Sequence, residues 1–359
     1  MNDQITINFL GAGVAAHVYS LVACAELGSE SIRVTMLDRS HEVPDRTLCV
    51  WGEPDAVIHE ALVAEWRTLR FGYGTQSFVR RMDRLRYQQY TAASIRALLD
   101  SRTDVDRLTG EAGAPDASCT VTFDSRHDDR VLRAASINLL QHFHGWRVRT
   151  NHPAFDPDVA TMMDFRVDQS DGVCFIYVLP YGPDEALVEC TVFSEVPWVR
   201  EHYERRLTAY LRDVIVVTDY EIVATETGAI PMCDRIPLRD RGRSWIAIGV
   251  AGGLTKPTTG YTVARCIRDA EAMMRHYRQT GVFTSPAPSS RRFDWYDRLL
   301  LKIIRDEPAV VPRILWTLFR RNPIDRILRF LDEQTRFHEE LMIFWSLPWL
   351  PFLKALVRR

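Results

Sequence analysis

An α/β fold is what this sequence predicts, and three observations carry the prediction. The chain opens as strand, glycine turn, helix and strand; its middle changes to short strands separated by turns; its last part reads as helices rich in basic and aromatic residues. Ile5 to Leu10 is a short apolar run, Gly11-Ala12-Gly13-Val14-Ala15-Ala16 follows it, and Val18, Leu21, Val22 and Ala25 recur at helical spacing. Gly28 closes the helix, Ile32 to Leu37 is a second strand, and Asp38 stands at its end. This is the order a dinucleotide-binding turn demands. Gly11 permits the tight turn, Gly13 lets backbone approach a pyrophosphate, Ala16 keeps helix and strand close, and the helix N-terminus attracts phosphate charge. Asp38 is placed to accept hydrogen bonds from ribose hydroxyls. The competing account of these residues is an ordinary tight turn with Asp38 as a helix cap.

Between Phe123 and Phe193 the apolar runs shorten: Trp146 to Val148, Met162 to Val167, Phe175 to Leu179 and Ala186 to Phe193. The turn Tyr181-Gly182-Pro183-Asp184 joins the last two as a hairpin. After Trp245 to Ile248 comes a second glycine-rich turn, Gly249 to Gly260, and a helix to about Tyr277. This second turn favours FAD over NAD, because backbone N–H groups at a helix start suit an isoalloxazine edge and a reduced, anionic flavin. Its candidate cofactor contacts are Gly252, Gly253, Pro257, Thr258, Gly260 and Tyr261; a loop that merely packs on the first domain is the alternative. The expected organisation is a FAD/NAD(P)-binding Rossmann-like domain over residues 1–80 and 220–280, an antiparallel-sheet substrate domain over 81–219, and a helical C-terminal region over 281–359.

Composition narrows the function. With Lys+Arg 45 against Asp+Glu 47, nothing global argues for nucleic acid. The cysteines are odd in number and never paired as C-x-x-C, which argues against a disulfide framework and against zinc, and suits a reducing cytoplasm. No secretion signal and no uninterrupted apolar run long enough to span a bilayer is apparent. The segment from Arg291 to Phe330 is locally basic, and the chain ends in IFWSLPWLPFLKALVRR. Aromatic and aliphatic side chains beside Lys and Arg suit a helix at a lipid surface. A core-packing helical tail with a solvated basic face fits equally well.

Several blocks in one order resemble the bacterial lycopene β-cyclase family: GAGVAA (11–16), DRTLCVW (45–51), FDSR (123–126), LLQHFHGWRV (139–148), FDPDVATMMDFR (155–166), FIYVLPY (175–181), ALVECT (186–191), GAIPM (228–232), AGGLTKPTTGY (251–261) and RFLDE (329–333). The resemblance implies FAD bound in reduced form, NAD(P)H as the source of reduction, a membrane-derived carotenoid (lycopene) as substrate, and no net redox change. It also implies that the catalytic acid is Glu189, in an E-x-T motif formed here by Glu189-Cys190-Thr191. Relatives often carry an acid or aromatic after that glutamate, so Cys190 puts a paired-carboxylate role in doubt. His17 is another departure.

Ring closure on an acyclic polyene end needs a proton delivered to a terminal alkene and a different proton removed. A carboxylic acid in an apolar pocket keeps its proton at neutral pH. Period-two alternation puts Leu187, Glu189, Thr191 and Phe193 on one strand face, so Glu189 is expected among apolar neighbours; without the family resemblance it reads as a solvent-facing strand residue. Arg46 is expected either at a flavin phosphate or capping a helix, and Asp164 and Arg166 are expected as a structural ion pair. His142 and His144 lack a third metal ligand. Trp51, Phe143, Trp146, Phe175, Tyr177 and Tyr181 are candidates for a polyene tunnel, or plain core. Rival activities are a flavin monooxygenase or a polyprenyl reductase, both of which consume NAD(P)H in step with product, a cyclase of another isoprenoid, and a carotenoid or lipid carrier that retains the fold.

Overall fold

The structure is a computed structural model that describes residues 4–40, 42, 46–53, 57–111, 118–126, 135–234, 237–242 and 244–357. Its first unit is a six-stranded sheet. Strand β1 (Ile5–Leu10) pairs in parallel with β2 (Ile32–Asp38), from Ile5 opposite Ile32 to Leu10 opposite Leu37. Helix α1 (Val14–Leu27) starts at Gly13, and Gly28 ends it by donating its N–H to the Cys24 carbonyl. Most of α1 is buried, because it lies between this sheet and two helices, α2 (Ala92–Arg102) and α4 (Val263–Thr280).

Strands β8 (Val105–Thr109) and β9 (Val121–Asp124) complete the parallel run, and β15 (Asp240–Gly242) and β16 (Trp245–Ala247) close the edge. The expected boundaries therefore need correction. Residues 92–109 and 121–124, expected in the antiparallel-sheet domain, belong to the nucleotide-type sheet and its helices. A short apolar strand reads the same in either sheet, so hydrophobic pattern alone does not assign it.

The second unit is a seven-stranded sheet in the order β14-β10-β13-β12-β11-β5-β6. It comprises β5 (Thr68–Tyr73), β6 (Gln76–Arg81), β10 (Asn138–Thr150), β11 (Val159–Asp164), β12 (Val173–Pro180), β13 (Glu185–Ser194) and β14 (Tyr220–Cys233). Residues 68–80 and 220–233, expected with the first domain, lie here instead. All its pairings are antiparallel except β5 with β11. The expected hairpin joins β12 to β13, closed by the Tyr181 N–H on the Glu185 carbonyl at 2.8 Å.

The two faces of this sheet carry different cores. Ile176, Val188, Cys190 and Val192 pack beneath helix α3 (Arg200–Tyr210), against Tyr203 and Leu207. Phe175, Tyr177, Leu187 and Phe193 face the other way, into a core shared with the C-terminal helices α5 (Arg291–Asp306), α6 (Val311–Arg321), α7 (Ile324–Leu331), α8 (Phe337–Ser346) and α9 (Trp349–Val357). Phe71 stacks on Phe319 with ring centroids 4.3 Å apart, which seats α6 on β5. A three-stranded sheet of β3 (Thr47–Gly52), β7 (Arg86–Thr91) and β4 (Ala64–Trp66) stands beside the other two. Alternation along β13 thus sends Glu189 toward the face that meets β3, β7 and the glycine loop before α4.

Candidate active site

A cavity of about 380 Å³ lies where the three sheets meet. The N-terminal turn of α1 supplies Gly13, Val14 and Ala15, β3 supplies Thr47 to Cys49, the loop before α4 supplies Thr259 to Thr262, and the large sheet supplies Phe143, Tyr177, Glu189 and Glu226. One wall is therefore a helix N-terminus with free N–H groups and the opposite wall is aromatic and acidic.

The nucleotide turn is built as its sequence requires. Gly11 adopts φ +96°, a left-handed conformation that favours glycine. A side-chain carbon on Gly13 would meet nothing within 4 Å, so the space above the turn is open to a ligand. Asp38 braces the turn by accepting the Ala12 N–H at 2.6 Å and its neighbour Arg39 N–H at 2.7 Å. Ala16 is fully buried against the sheet. His17 is buried too; its Nδ1 has no hydrogen-bond partner, and burial lowers its pKa to about 4, so it is neutral packing in α1.

The second glycine loop divides. Gly260, at φ +75°, and Tyr261 line the cavity. Gly252 packs on the Ala247 carbonyl, where a side chain has no room, and Gly253 turns the chain at φ +71°. Thr258 donates its hydroxyl to Asp297 Oδ1 at 2.9 Å, which ties that side chain to α5, and neither Thr258 nor Pro257 lines the cavity. Arg46 does line it.

Glu189 is where alternation predicts, and the structure adds a residue that the sequence reading missed. β10 runs between β13 and β14, and Gly145 of β10 is in register with Glu189 on one side and Glu226 on the other. A side-chain carbon at Gly145 would lie 3.2 Å from Glu189 Cβ and 3.3 Å from Glu226 Cγ; without one, the two side chains converge over the strand. The exposed surface that Glu189 keeps lies against the cavity it lines, and its carboxyl is otherwise enclosed. Burial first, then the neighbouring Glu226 charge, holds Glu189 well above the usual carboxylate range, against the Thr191 hydroxyl that donates to Oε1 at 3.0 Å. The Thr47 N–H donates to Glu226 Oε2 at 3.1 Å. Cys190 points to the opposite face, its Sγ 3.4 Å from Cys174 Sγ, so the residue after Glu189 is not its partner. Only the strand register reveals Glu226; its local Thr-Glu-Thr context resembles any polar strand.

Around the pair, apart from Arg46, the titratable wall groups are neutral. Tyr87 and Tyr261 share a hydrogen bond of 2.9 Å between their hydroxyls, burial pushes the Cys49 thiol up to about 12, and burial raises Tyr87, Tyr177 and Tyr261 as well. Of the aromatic tunnel candidates, Phe143 and Tyr177 line the cavity; Trp51 packs on Tyr261 at 4.3 Å, Phe175 is core, and Tyr181 takes a hydrogen bond from Gln89 at 2.9 Å. Trp146 lies on the other face, donating to His144 Nε2 at 3.1 Å, while His142 is held between Ser194 and Tyr203. Asp164 and Arg166 form the ion pair, at 2.6 Å, with the Tyr210 hydroxyl on Asp164 at 2.7 Å, away from the cavity.

Three sheets, a glycine turn at a helix start and a cavity where they meet define a FAD/NAD(P)-binding Rossmann-like fold with an antiparallel-sheet region and a helical C-terminal region. Solved structures share it. A geranylgeranyl bacteriochlorophyll reductase-like protein from Thermoplasma acidophilum superposes with TM-score 0.60 at 11% identity, over 98% of this chain and 99% of that one. A variant of HpxO from Klebsiella pneumoniae complexed with FAD superposes with TM-score 0.60 at 14% identity, over 96% and 100%. At those identities the likeness is one of fold. The model of the family described as lycopene cyclase protein matches residues 7–357, and this chain belongs to that family. Among curated relatives, the lycopene beta-cyclase of Pseudescherichia vulneris is 29% identical over 36% of this chain and 33% of its own length. The chloroplastic lycopene beta cyclase of Arabidopsis thaliana is 26% identical over 57% of this chain and 41% of its own length. The matched stretches thus span well under half of those relatives.

Proposed function

We propose that this protein cyclises the acyclic ends of lycopene to β-rings by acid catalysis, with no net redox change and with FAD bound in reduced form. The observation that supports it most is a carboxyl pair enclosed by aromatic and aliphatic walls, facing a dinucleotide turn across one cavity. Glu189 stays protonated at neutral pH for the reasons given above and serves as the acid that delivers a proton to the terminal alkene. Phe143 and Tyr177 offer ring faces to the cation that results.

The chain's residues fit a flavin dinucleotide. Open space above Gly13 and the N-terminus of α1 suit the pyrophosphate, with Asp38 beside it for the ribose and Arg46 for phosphate charge. Gln141 Oε1 and Thr259 Oγ1 are buried polar atoms without partners on the cavity wall beside Gly260, where a flavin ring edge would satisfy them. When bound, reduced FAD supplies negative charge beside the cation in a water-poor site, and NAD(P)H keeps it reduced.

Substrate access runs through the C-terminal helices in this reading. A second cavity of about 240 Å³, lined mainly by apolar side chains of α5 to α9 together with Met163, Phe193 and the Lys256–Asp297 pair, shares Thr259 with the first. Trp349, which lines it, is 68% exposed, and Trp345 is 92% exposed, on helices α9 and α8, which meet at a bend of 104°. Among the described residues no single helix is long and apolar enough to cross a membrane. The exposed aromatics beside Lys354 suit a helix pair lying on a lipid surface, from which a polyene would enter.

The test is incubation of purified protein with FAD, NAD(P)H, lipid vesicles and lycopene, followed by chromatography. Ring-bearing isomers of unchanged mass are expected. Oxygenated or saturated products, formed with matching NAD(P)H consumption, would instead identify a monooxygenase or a polyprenyl reductase.

A further inference from the structure

Glu226 has no assigned role, yet its placement is specific. Strands in a sheet lie about 4.8 Å apart, so Glu189 and Glu226, each one strand from Gly145, stand roughly 10 Å apart at the backbone. Each side chain must lean across the middle strand to reach the other, and only a glycine there leaves the room. Two carboxyls brought this close share a proton more readily than they both ionise. Glu226 Oε2 accepts a backbone N–H from Thr47, while Glu189 Oε1 accepts the Thr191 hydroxyl. Among the described residues that line the cavity, these two are the carboxyl groups.

We propose that Glu226 is the base of the reaction: it takes the proton lost as the ring closes and returns it to Glu189 across the gap left by Gly145. This rests on the cyclase reading. In the first step the O–H bond of Glu189 breaks, the terminal alkene's electron pair forms a new C–H bond, and a tertiary cation results. The neighbouring double bond's pair then forms the ring C–C bond and moves the positive charge into the ring. A C–H bond beside that charge breaks, its pair becomes the ring double bond, and its proton goes to the Glu226 carboxylate. Glu189 is now the carboxylate and Glu226 the acid. Proton transfer within the pair restores the start, with no water, oxidant or reductant consumed.

The other groups facing the pair do not compete as bases. Cys49, Tyr87, Tyr177, Tyr181 and Tyr261 are all raised by burial and stay protonated near neutrality, and Arg46 is a cation.

The experiment compares Glu226→Gln and Glu226→Asp with wild type, all FAD-loaded. Glu226→Gln is expected to keep FAD and bind lycopene, to lose about a hundredfold or more in kcat, and to release rings with the double bond displaced or the cation trapped by water. Glu226→Asp is expected to restore the wild-type ring at reduced rate. A second readout needs no substrate: the infrared carbonyl band of protonated Glu189, identified by its loss in Glu189→Gln, should titrate at lower pH in Glu226→Gln, because the neighbouring charge is gone. A folded Glu226→Gln that makes the wild-type ring within about threefold of the wild-type rate, or whose Glu189 band titrates unchanged, overturns the proposal. Wild-type protein that leaves lycopene unaltered counts against the cyclase reading, and the infrared titration still decides whether the carboxyls share their proton.

Discussion

Two regions of this molecule enclose carboxylates, and their neighbours drive them in opposite directions. In the cavity Glu189 has another carboxylate beside it and no cation against it, so burial and charge act together to keep its proton on. Behind the glycine loop Glu333 receives Lys256 at 2.9 Å and Arg265 at 2.7 Å, and those two cations hold it below the usual carboxylate range despite its burial. Lys256 also pairs with Asp297 at 2.7 Å, which ties the loop to α5. The same side chain thus keeps its proton in one place and is an ionised tether in the other. Enclosure does not distinguish them; the sign of the nearest charge does.

The sharpest way to break this contrast is Glu189→Gln. It keeps shape and removes the acidic proton, so lycopene cyclisation should fall by about a thousandfold to ten-thousandfold, the upper range for positioned proton transfer, while flavin absorbance of the purified protein stays at full occupancy. Near-normal turnover would move the acid elsewhere.

Next in size is Lys256→Ala. It removes the cation from buried Asp297 and leaves Glu333 to Arg265 alone, and should cost about 3–5 kcal/mol of stability, seen as an earlier midpoint in urea unfolding. A midpoint equal to wild type would mean that water or Arg265 compensates, and the tether reading fails.

Gly145→Ala probes the space that joins the carboxyls. A methyl group there crowds Leu187, Glu189 and Glu226 at 3.1 to 3.3 Å, so we expect a destabilisation of about 1–3 kcal/mol together with a lower titration of the Glu189 infrared band as the pair separates. An unchanged band in a folded variant would show that the carboxyls meet without the gap.

The exposed face of the helical region offers a smaller effect. Replacing Trp345 and Trp349 together by Ser should weaken binding to anionic vesicles roughly tenfold, from the lost apolar area, with thermal stability preserved because both rings are mostly exposed. Unchanged vesicle sedimentation would remove these rings from the lipid contact.

The smallest effect is one of pH on stability, and its signs differ between the regions. Glu189 has a raised folded pKa, so its contribution is present below the ordinary glutamate value and is lost as pH rises through the folded value. Glu333 has a lowered one, so its contribution is present above the ordinary value and is lost as pH falls through the folded value. Urea midpoints measured against pH in Glu189→Gln and Glu333→Gln should diverge from wild type at opposite ends of the range. Parallel curves would mean that the two sites do not differ in charge.

What the sequence determined by itself is what local geometry compels. Gly11 announces a left-handed turn, the apolar spacing after Gly13 announces α1, and Asp38 ends β2 within reach of the turn it braces. Tyr181 to Asp184 announces a hairpin, and period-two alternation puts Glu189 on the cavity face of β13. Tertiary structure alone decided the rest. Strands 68–81, 105–109, 121–124 and 220–233 joined sheets by pairing with distant segments, and their apolar patterns are satisfied equally well in either sheet. Thr258, which reads as part of a cofactor loop, found Asp297 on α5 instead. Glu226 became the partner of Glu189 because β10 runs between them with a glycine at the crossing. Periodicity reports which way a side chain points, since that is fixed by the backbone of its own strand. Which side chain it meets depends on register across other strands, and no local pattern encodes that.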